Sequence, residues 1–272
     1  MDKYLSLSEI QQASLKVLVE IDSICKSMNF AYTITYGTLI GAIRHKGFIP
    51  WDDDVDIIMP RKDHDAFRQY LKTTYKGDLV WCDRTTIKNY PYCIPRVSDM
   101  KYKYTTSLKG QKEFDMGVFV DVYPLDNYCD TKRAALKLGR KVWLKNRLFD
   151  MYLNPNKTVG LHKKIFRNSI SIVLRLVHGS DWHLHIDEEI RTLINKYTND
   201  SNQIVGVISQ TEWRELMKRE WFTSYMDMEF EGKTFMVCKG YQELLTSIYG
   251  DYMQLPPEEN RVPTHDYTMI IR

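Results

Sequence analysis

Residues Tyr36 to Arg61 read YGTLIGAIRHKGFIPWDDDVDIIMPR, and the reading of this stretch decides the fold. It places a Gly-Thr pair, a short helical run and an acidic strand within one reversal of the chain. Ile34 to Tyr36 alternate like the end of a strand, and Gly37 permits a sharp turn where a side chain would crowd the backbone. Thr38 is the predicted N-cap of a helix whose buried stripe is Leu39, Ile40 and Ile43, and Gly47 is predicted to end it. Free N–H groups at such a helix start favour an anion such as phosphate.

After Pro50 and Trp51, Asp52, Asp53, Asp54 and Asp56 are threaded among Val55, Ile57, Ile58 and Met59. On a strand, Asp52, Asp54 and Asp56 project from one face, and Asp53 and Val55 from the other. Like charges in register repel, so the cluster is costly unless a cation lies between the carboxylates. Hard oxygen ligands suit Mg²⁺ or Mn²⁺. A solvated acidic turn is the plainer alternative, but it would not need three carboxylates in register on an otherwise apolar strand. A second apolar run, GVFVDVY from Gly117 to Tyr123, carries one carboxylate, Asp121, and is predicted to stop at Pro124. An isolated ionised carboxylate in a buried strand is expensive unless a metal or a proton-transfer role offsets the cost.

The order Gly-Thr followed by Asp-Val-Asp with apolar flanks resembles the nucleotidyltransferase superfamily. The longer string from Gly37 to Arg61 resembles the LicD family of phosphocholine and related phosphotransferases, which is itself similar to the fukutin-related proteins. GVFVDVYPLD, Gly117 to Asp126, resembles the family's second acidic strand, and YGDYMQLPPEENRVPTHD, Tyr249 to Asp266, its C-terminal signature. The resemblance implies an α+β fold: a nucleotidyltransferase-like mixed sheet flanked by helices, with a helical insertion. It also implies metal-dependent transfer of phosphocholine, or a similar phospho-polar group, from a CDP-linked donor such as CDP-choline. The acceptor would be a glycan, such as a teichoic-acid or capsule precursor, carried on a lipid.

On that reading Asp54, Asp56 and Asp121 are the expected catalytic and metal-binding residues, holding Mg²⁺ or Mn²⁺ on the donor diphosphate. The N–H groups of Gly37 and Thr38, with Arg44, would offset the remaining charge, and Arg96 would face a phosphate. Trp51 would hold the choline cation by cation–π contact, with Tyr36, Tyr90 and Tyr92 as further candidates. Packing of an edge strand is the alternative for the tyrosines between Tyr90 and Tyr104. His265 would contact phosphate or shuttle a proton. Two rival readings are a nucleotidyltransferase acting on a small molecule, and a non-catalytic scaffold on the membrane face. A scaffold would gain nothing from the repulsion of three carboxylates.

The 272-residue chain has a formal net charge of +3 and a pI near 8.4, far short of a nucleic-acid coating, so no nucleic-acid partner is expected. Its five cysteines include no C-x-x-C pair, which fits a reduced cytosol. The N-terminus reads as an amphipathic helix rather than a signal peptide, and no uncharged apolar run reaches the ~20 residues of a span. The expected location is cytoplasmic, with peripheral contact on the inner face of the membrane. Gly232-Lys233-Thr234 is a chance match to the end of a P-loop, because Asp227 stands where a glycine is required.

Three parts are expected: a catalytic core over 1–129, a basic helical insertion over 130–200, and a C-terminal part over 201–272 that completes core and active site. Ser6 and Glu9 predict a capping box opening a helix that runs to Met28, and Arg61 to Tyr75 predict another. Leu79 to Cys82 predict a strand, and Glu231-Gly232 a hairpin turn before Thr234 to Val237. A helix to Tyr249 follows, then a Pro-rich coil from Leu255 to Asp266. Between Thr131 and Gly179, twelve Lys and Arg stand against Asp150 alone. Such a basic hairpin can lie on anionic lipid through Lys137, Arg140, Lys141 and Lys145, with Trp143 or Phe166 beside them. The alternative is a solvated insertion.

Overall fold

The structure, a computed structural model, describes residues 3–106, 112–157, 160–199, 201–208, 215–263 and 267–272. Its centre is a mixed sheet. Strands β1 (Thr33–Ile34), β2 (Asp56–Pro60), β3 (Leu79–Cys82), β4 (Arg96–Asp99) and β6 (Val118–Asn127) lie in the order β1-β2-β6-β4-β3. Only the β2–β6 pair among these is parallel; the others are antiparallel. Two short strands, β7 (Ile204–Gly206) and β8 (Met217–Lys218), extend the far end of β6. The α+β class expected from the sequence is thus what the chain adopts.

Helix α1 (Leu7–Met28) opens with the predicted capping box: the Ser6 hydroxyl and backbone are both engaged with Glu9. Its buried Leu18, Ile21 and Cys25 pack with Val120 and Val122 of β6 and with Phe67 of α3 (Arg61–Thr73). One face of the sheet, bearing Ile57, Met59, Val97, Val120 and Val122, is therefore core. By alternation, Asp56, Arg96, Asp121 and Tyr123 belong to the opposite face.

Helix α2 (Tyr36–His45) departs from the sequence reading at both ends. Its N-cap is Thr35, so Thr38 lies inside the first turn, and Gly37 is helical rather than the turn residue. The left-handed backbone falls on Tyr36, with φ of 47°, and at the other end on Lys46 rather than Gly47. Pro124 does not stop β6 either. Asp121 N–H donates to Val55 O toward β2 and Val122 N–H to Pro95 O toward β4, so the missing donor of Pro124 faces the β4 side, past the end of that strand.

The hairpin of β9 (Tyr225–Phe230) and β10 (Lys233–Cys238) turns at Glu231 and Gly232, both at positive φ as a two-residue turn requires. Helix α7 (Tyr241–Tyr249) follows. Beyond the Pro-rich coil, which contains a short 3₁₀ turn at Glu258–Asn260, the sequence reading missed β11 (Tyr267–Ile271). This strand pairs with β5 (Tyr102–Thr106) and closes the C-terminus against the N-terminus through Leu5 N–H to Met269 O.

Helices α4 (Lys132–Leu153), α5 (Leu161–His178) and α6 (Trp182–Asn195) stand apart around a second core of Leu138, Val142, Phe149, Trp182, Ile186 and Ile190. Thr131 caps α4 by accepting Ala134 N–H. Two bases expected to face lipid are engaged within this unit, Lys145 with Glu189 and Lys141 with the Tyr197 hydroxyl. Trp143 is half-buried, whereas Phe166 is exposed.

Candidate active site

The register of three adjacent strands assembles the site. Asp56 lies opposite Asp121 in the parallel β2–β6 pair, and Asp121 lies opposite Arg96 in the β4–β6 pair. The three side chains form one row across the sheet. Backbone bonds set the row's height: Thr35 N–H donates to Asp56 O at 3.0 Å, and Asp56 N–H donates to Thr38 Oγ1 at 2.9 Å. The Thr38 hydroxyl is accordingly a buried latch between α2 and β2, which leaves the role expected of its backbone N–H as it stood.

Carboxylate oxygens of Asp54, Asp56 and Asp121 all lie within 4.8 Å of one another. Asp56 and Asp121 are buried. Burial, reinforced by the charges of Asp54, Asp121 and Asp52, pushes the Asp56 carboxyl well above the usual carboxylate range. Asp56 Oδ1 has no hydrogen-bond partner. A buried oxygen without a donor, amid several carboxylates, is the donor set a hard divalent cation completes. Asp52, Asp53 and Asp54 form a second such group. The strict alternation expected for Asp53 does not hold, because β2 begins only at Asp56 and the preceding residues are not strand.

Arg96 is committed to Asp121. Its Nε donates to Asp121 Oδ1 at 2.5 Å, and Nη2 reaches Oδ2 at 3.4 Å. The guanidinium is clamped between the Tyr92 and Phe119 rings, 3.7 and 3.8 Å from their centroids. Burial disfavours its charge, and Asp121 more than offsets that, so Arg96 stays ionised. Its Nη1 lacks a partner, so Arg96 acts as counter-ion to Asp121 while one donor stays open for the expected phosphate contact. The same clamp occupies the Tyr92 ring, and Tyr90 is buried with its hydroxyl donating to Ile94 O, so neither offers a free face to choline.

Gly37 lies against the acidic cluster. A Cβ there would come within 2.4 Å of Asp52 Oδ2, so the start of α2 lies directly against an acidic side chain of the cluster. Arg44 does not join it. Eight residues along α2, roughly 12 Å of helix rise, separate it from Tyr36, and its Nη1 donates to Tyr252 O and Gln254 O at 3.2 and 3.3 Å. Arg44 ties α2 to the C-terminal coil. Trp51 is half-buried, with the Arg261 guanidinium 5.8 Å from its ring centroid. His265 lies outside the described residues.

Tyr36, a candidate in the sequence reading, belongs to an aromatic flank whose other members that reading missed. Tyr36 packs edge-on against Tyr123, 5.2 Å between centroids, and donates its hydroxyl to Glu215 Oε2 at 3.2 Å. The Tyr249 hydroxyl is pushed up by burial and by the charges of Asp56, Glu215, Asp52 and Asp54, although its side chain is partly exposed. Tyr267 donates to Asp53 O at 2.6 Å. Tyr123 and Tyr249 stood within quoted motifs, but Glu215 carries no local signal at all.

A mixed sheet carries a carboxylate trio beside a helix start. The family profile described as LicD/FKTN/FKRP, nucleotidyltransferase domain, matches residues 29–128, which include all three carboxylates. Together with a full-length relative, this shows that the chain belongs to the LicD family. That relative is the lipopolysaccharide cholinephosphotransferase LicD of Haemophilus influenzae, 30% identical over 267 residues that cover 97% of each chain. Uncharacterised proteins of Rickettsia typhi and Rickettsia prowazekii are 39% and 32% identical over 130 and 110 residues, and those matches cover 41% and 40% of the relatives' lengths.

Proposed function

We propose that this protein is a phosphotransferase that moves phosphocholine, or a similar phospho-polar group, from a CDP-linked donor such as CDP-choline to a glycan acceptor. The observation that carries the reading is the Asp54, Asp56 and Asp121 trio, with its unpartnered buried oxygen. The name of the Haemophilus relative supports phosphocholine as the group moved and a lipopolysaccharide-type glycan, beside teichoic-acid or capsule precursors, as the class of acceptor. The core around the trio is read as nucleotidyltransferase-like, the insertion as residues 130–200, and the place of action as the cytoplasmic side of a membrane.

Asp54, Asp56 and Asp121 would hold Mg²⁺ or Mn²⁺, which supplies neutralisation of the donor's diphosphate charge. The remaining work falls to the chain. Arg96 orients the Asp121 carboxylate from one side, so that its oxygens face Asp56 across the strand pair. The acceptor hydroxyl attacks the phosphorus bearing choline, the bond from that phosphorus to the bridging oxygen breaks, and CMP leaves. Two roles are open to Asp121: completing the cation site, or taking the hydroxyl proton. Tyr249, partly exposed, and Glu215 would offer aromatic and anionic surface to a quaternary ammonium, with the buried Tyr36 backing them through its hydroxyl on Glu215.

The test is mass spectrometry of reactions containing Mg²⁺ or Mn²⁺, CDP-choline, CDP-ethanolamine or CDP-glycerol, and oligosaccharides from lipopolysaccharide and teichoic acid. Release of CMP with a phosphocholine mass added to the acceptor, lost in Asp54→Asn and Asp56→Asn, is the expected outcome. Addition of a cytidylyl mass would favour nucleotidyl transfer. No turnover of any donor would leave the scaffold reading standing.

A further inference from the structure

Helix α5 is built inside out. Toward the protein it presents Arg167, Ser171 and Arg175, four residues apart. Arg167 Nη2 donates to Asp150 O, Asp150 Oδ2 and Asn154 O, while Ser171 Oγ and Arg175 Nη2 donate to Tyr152 O. Ser171 is the helix's only buried residue. The opposite face is apolar: Leu161, Ile165, Ile172 and Leu176 form one row at helical spacing, and Phe166, Val173 and Val177 the next. Their exposures run from 56% at Ile165 to 82% at Leu176. An amphipathic helix on a protein surface in water has the reverse arrangement, so a contiguous patch of this kind marks a docking face.

The packed neighbour α4 supplies the charge. Arg133, Lys137, Arg140 and Arg147 are exposed along one side of it, with exposed Leu144 among them. The single carboxylate of the stretch, Asp150, is taken by Arg167 and Lys157. The chain's net charge is only +3, so its positive excess is concentrated on this hairpin.

We propose that the α4–α5 hairpin seats the protein on an anionic lipid bilayer, with the apolar rows of α5 in the interfacial layer and the bases of the hairpin at the headgroups. The charge selects this occupant. In a self-complementary contact with a second copy, the same uncompensated bases would meet one another, and a neutral bilayer would leave them without counter-ions. An anionic bilayer satisfies both faces at once. At about 27 Å long, α5 lies in the plane of such a surface; among the described residues no helix is long and apolar enough to cross a membrane. Gly160 and Gly179, at positive φ and with no atom within 4 Å of where a Cβ would stand, set the helix off at either end.

The proposal does not depend on the reaction assigned above, because its test reads binding alone. The full chain is co-sedimented with vesicles of phosphatidylcholine, with and without phosphatidylglycerol, at low and high salt. The wild type should bind the anionic vesicles at least about tenfold more tightly, and lose binding as salt rises. A Phe166→Gln, Ile172→Gln, Leu176→Gln variant and an Arg133→Gln, Lys137→Gln, Arg140→Gln variant should each lose most of that binding while melting as the wild type does, since every altered side chain is exposed. Equal or negligible wild-type binding to both vesicle types overturns the proposal. So does unchanged binding by the apolar variant. A wild-type dimer by light scattering that the apolar substitutions convert to monomer would assign the face to a second copy, and would overturn it too.

Discussion

Asp56 is held by its backbone on both sides, by Thr35 N–H at its carbonyl and by Thr38 Oγ1 at its amide. Thr38→Val keeps the shape and removes the acceptor, so a buried N–H is left unmade and stability should fall by about 1–2 kcal/mol. The midpoint of urea unfolding measures this, and Thr38→Ser should restore most of it. Arg96 and Asp121 are a tighter case. Arg96→Met strands a buried carboxylate and should cost about 3–5 kcal/mol, whereas adding Asp121→Asn to it should recover part of the loss. If the double variant is as unstable as the sum of the singles, the two residues are not coupled as the 2.5 Å contact indicates. Mg²⁺ titration of Asp121→Asn alone separates its two roles: a weakened metal dependence marks a ligand, and a lowered rate at unchanged metal affinity marks a base.

At the scale of elements, α2 carries most of the site's placement. Its first turn abuts Asp52 and its last turn is strapped by Arg44 to the C-terminal coil. Gly37→Ala would drive a methyl group toward the Asp52 carboxylate, the mobile end of a side chain, so the fold should lose less than about 1 kcal/mol. Turnover should fall by a larger factor, because Asp52 must swing within the cluster. Melting temperature and kcat/KM measured together check this, and a variant that melts early would show that the backbone itself cannot yield. α1 was legible from its capping box and apolar spacing, since both are local. The start of α2 was not, because the left-handed Tyr36 answers to its packing on Tyr123 and Glu215 rather than to any residue beside it in sequence.

For the molecule as a whole, the joint between core and helical unit is polar. Arg84, nearly fully buried, pairs with Asp187 at 2.7 Å and lies over the Phe149 ring, and Arg191 reaches Asp65 at 2.6 Å. A cavity of about 230 Å³ between α3 and α6 is lined by Arg84, Asp187, Arg191, Asp65 and His64. Burial lowers His64 to about 4, against the smaller opposing pull of Asp65. Its folded value is depressed, so between about pH 4 and 6.5 the unfolded chain binds a proton that the folded one refuses. Stability should therefore rise with pH across that window and drop as pH falls through it, by on the order of 3 kcal/mol in all. Unfolding midpoints at both ends of the window should differ less in His64→Gln than in the wild type, and an equal difference would clear His64 of the effect.

The amino-acid sequence by itself determined the α+β class, the acidic strand, the second carboxylate run around Asp121, the capping box and the basic helical stretch, because each is written in local spacing and charge. It determined family membership as well, through strings long enough to be specific. Only the tertiary structure decided which groups share the site. Strand register set Arg96 against Asp121 as its counter-ion, helix rise carried Arg44 to the C-terminal coil, and the folding back of distant chain brought in Glu215 and Tyr267. Contacts between residues far apart in sequence depend on three-dimensional closure, and no periodicity along the chain encodes them. The same holds for α5. Its composition showed an amphipathic helix, but the contacts of Arg167 and Arg175 decided that the apolar face is the one turned outward.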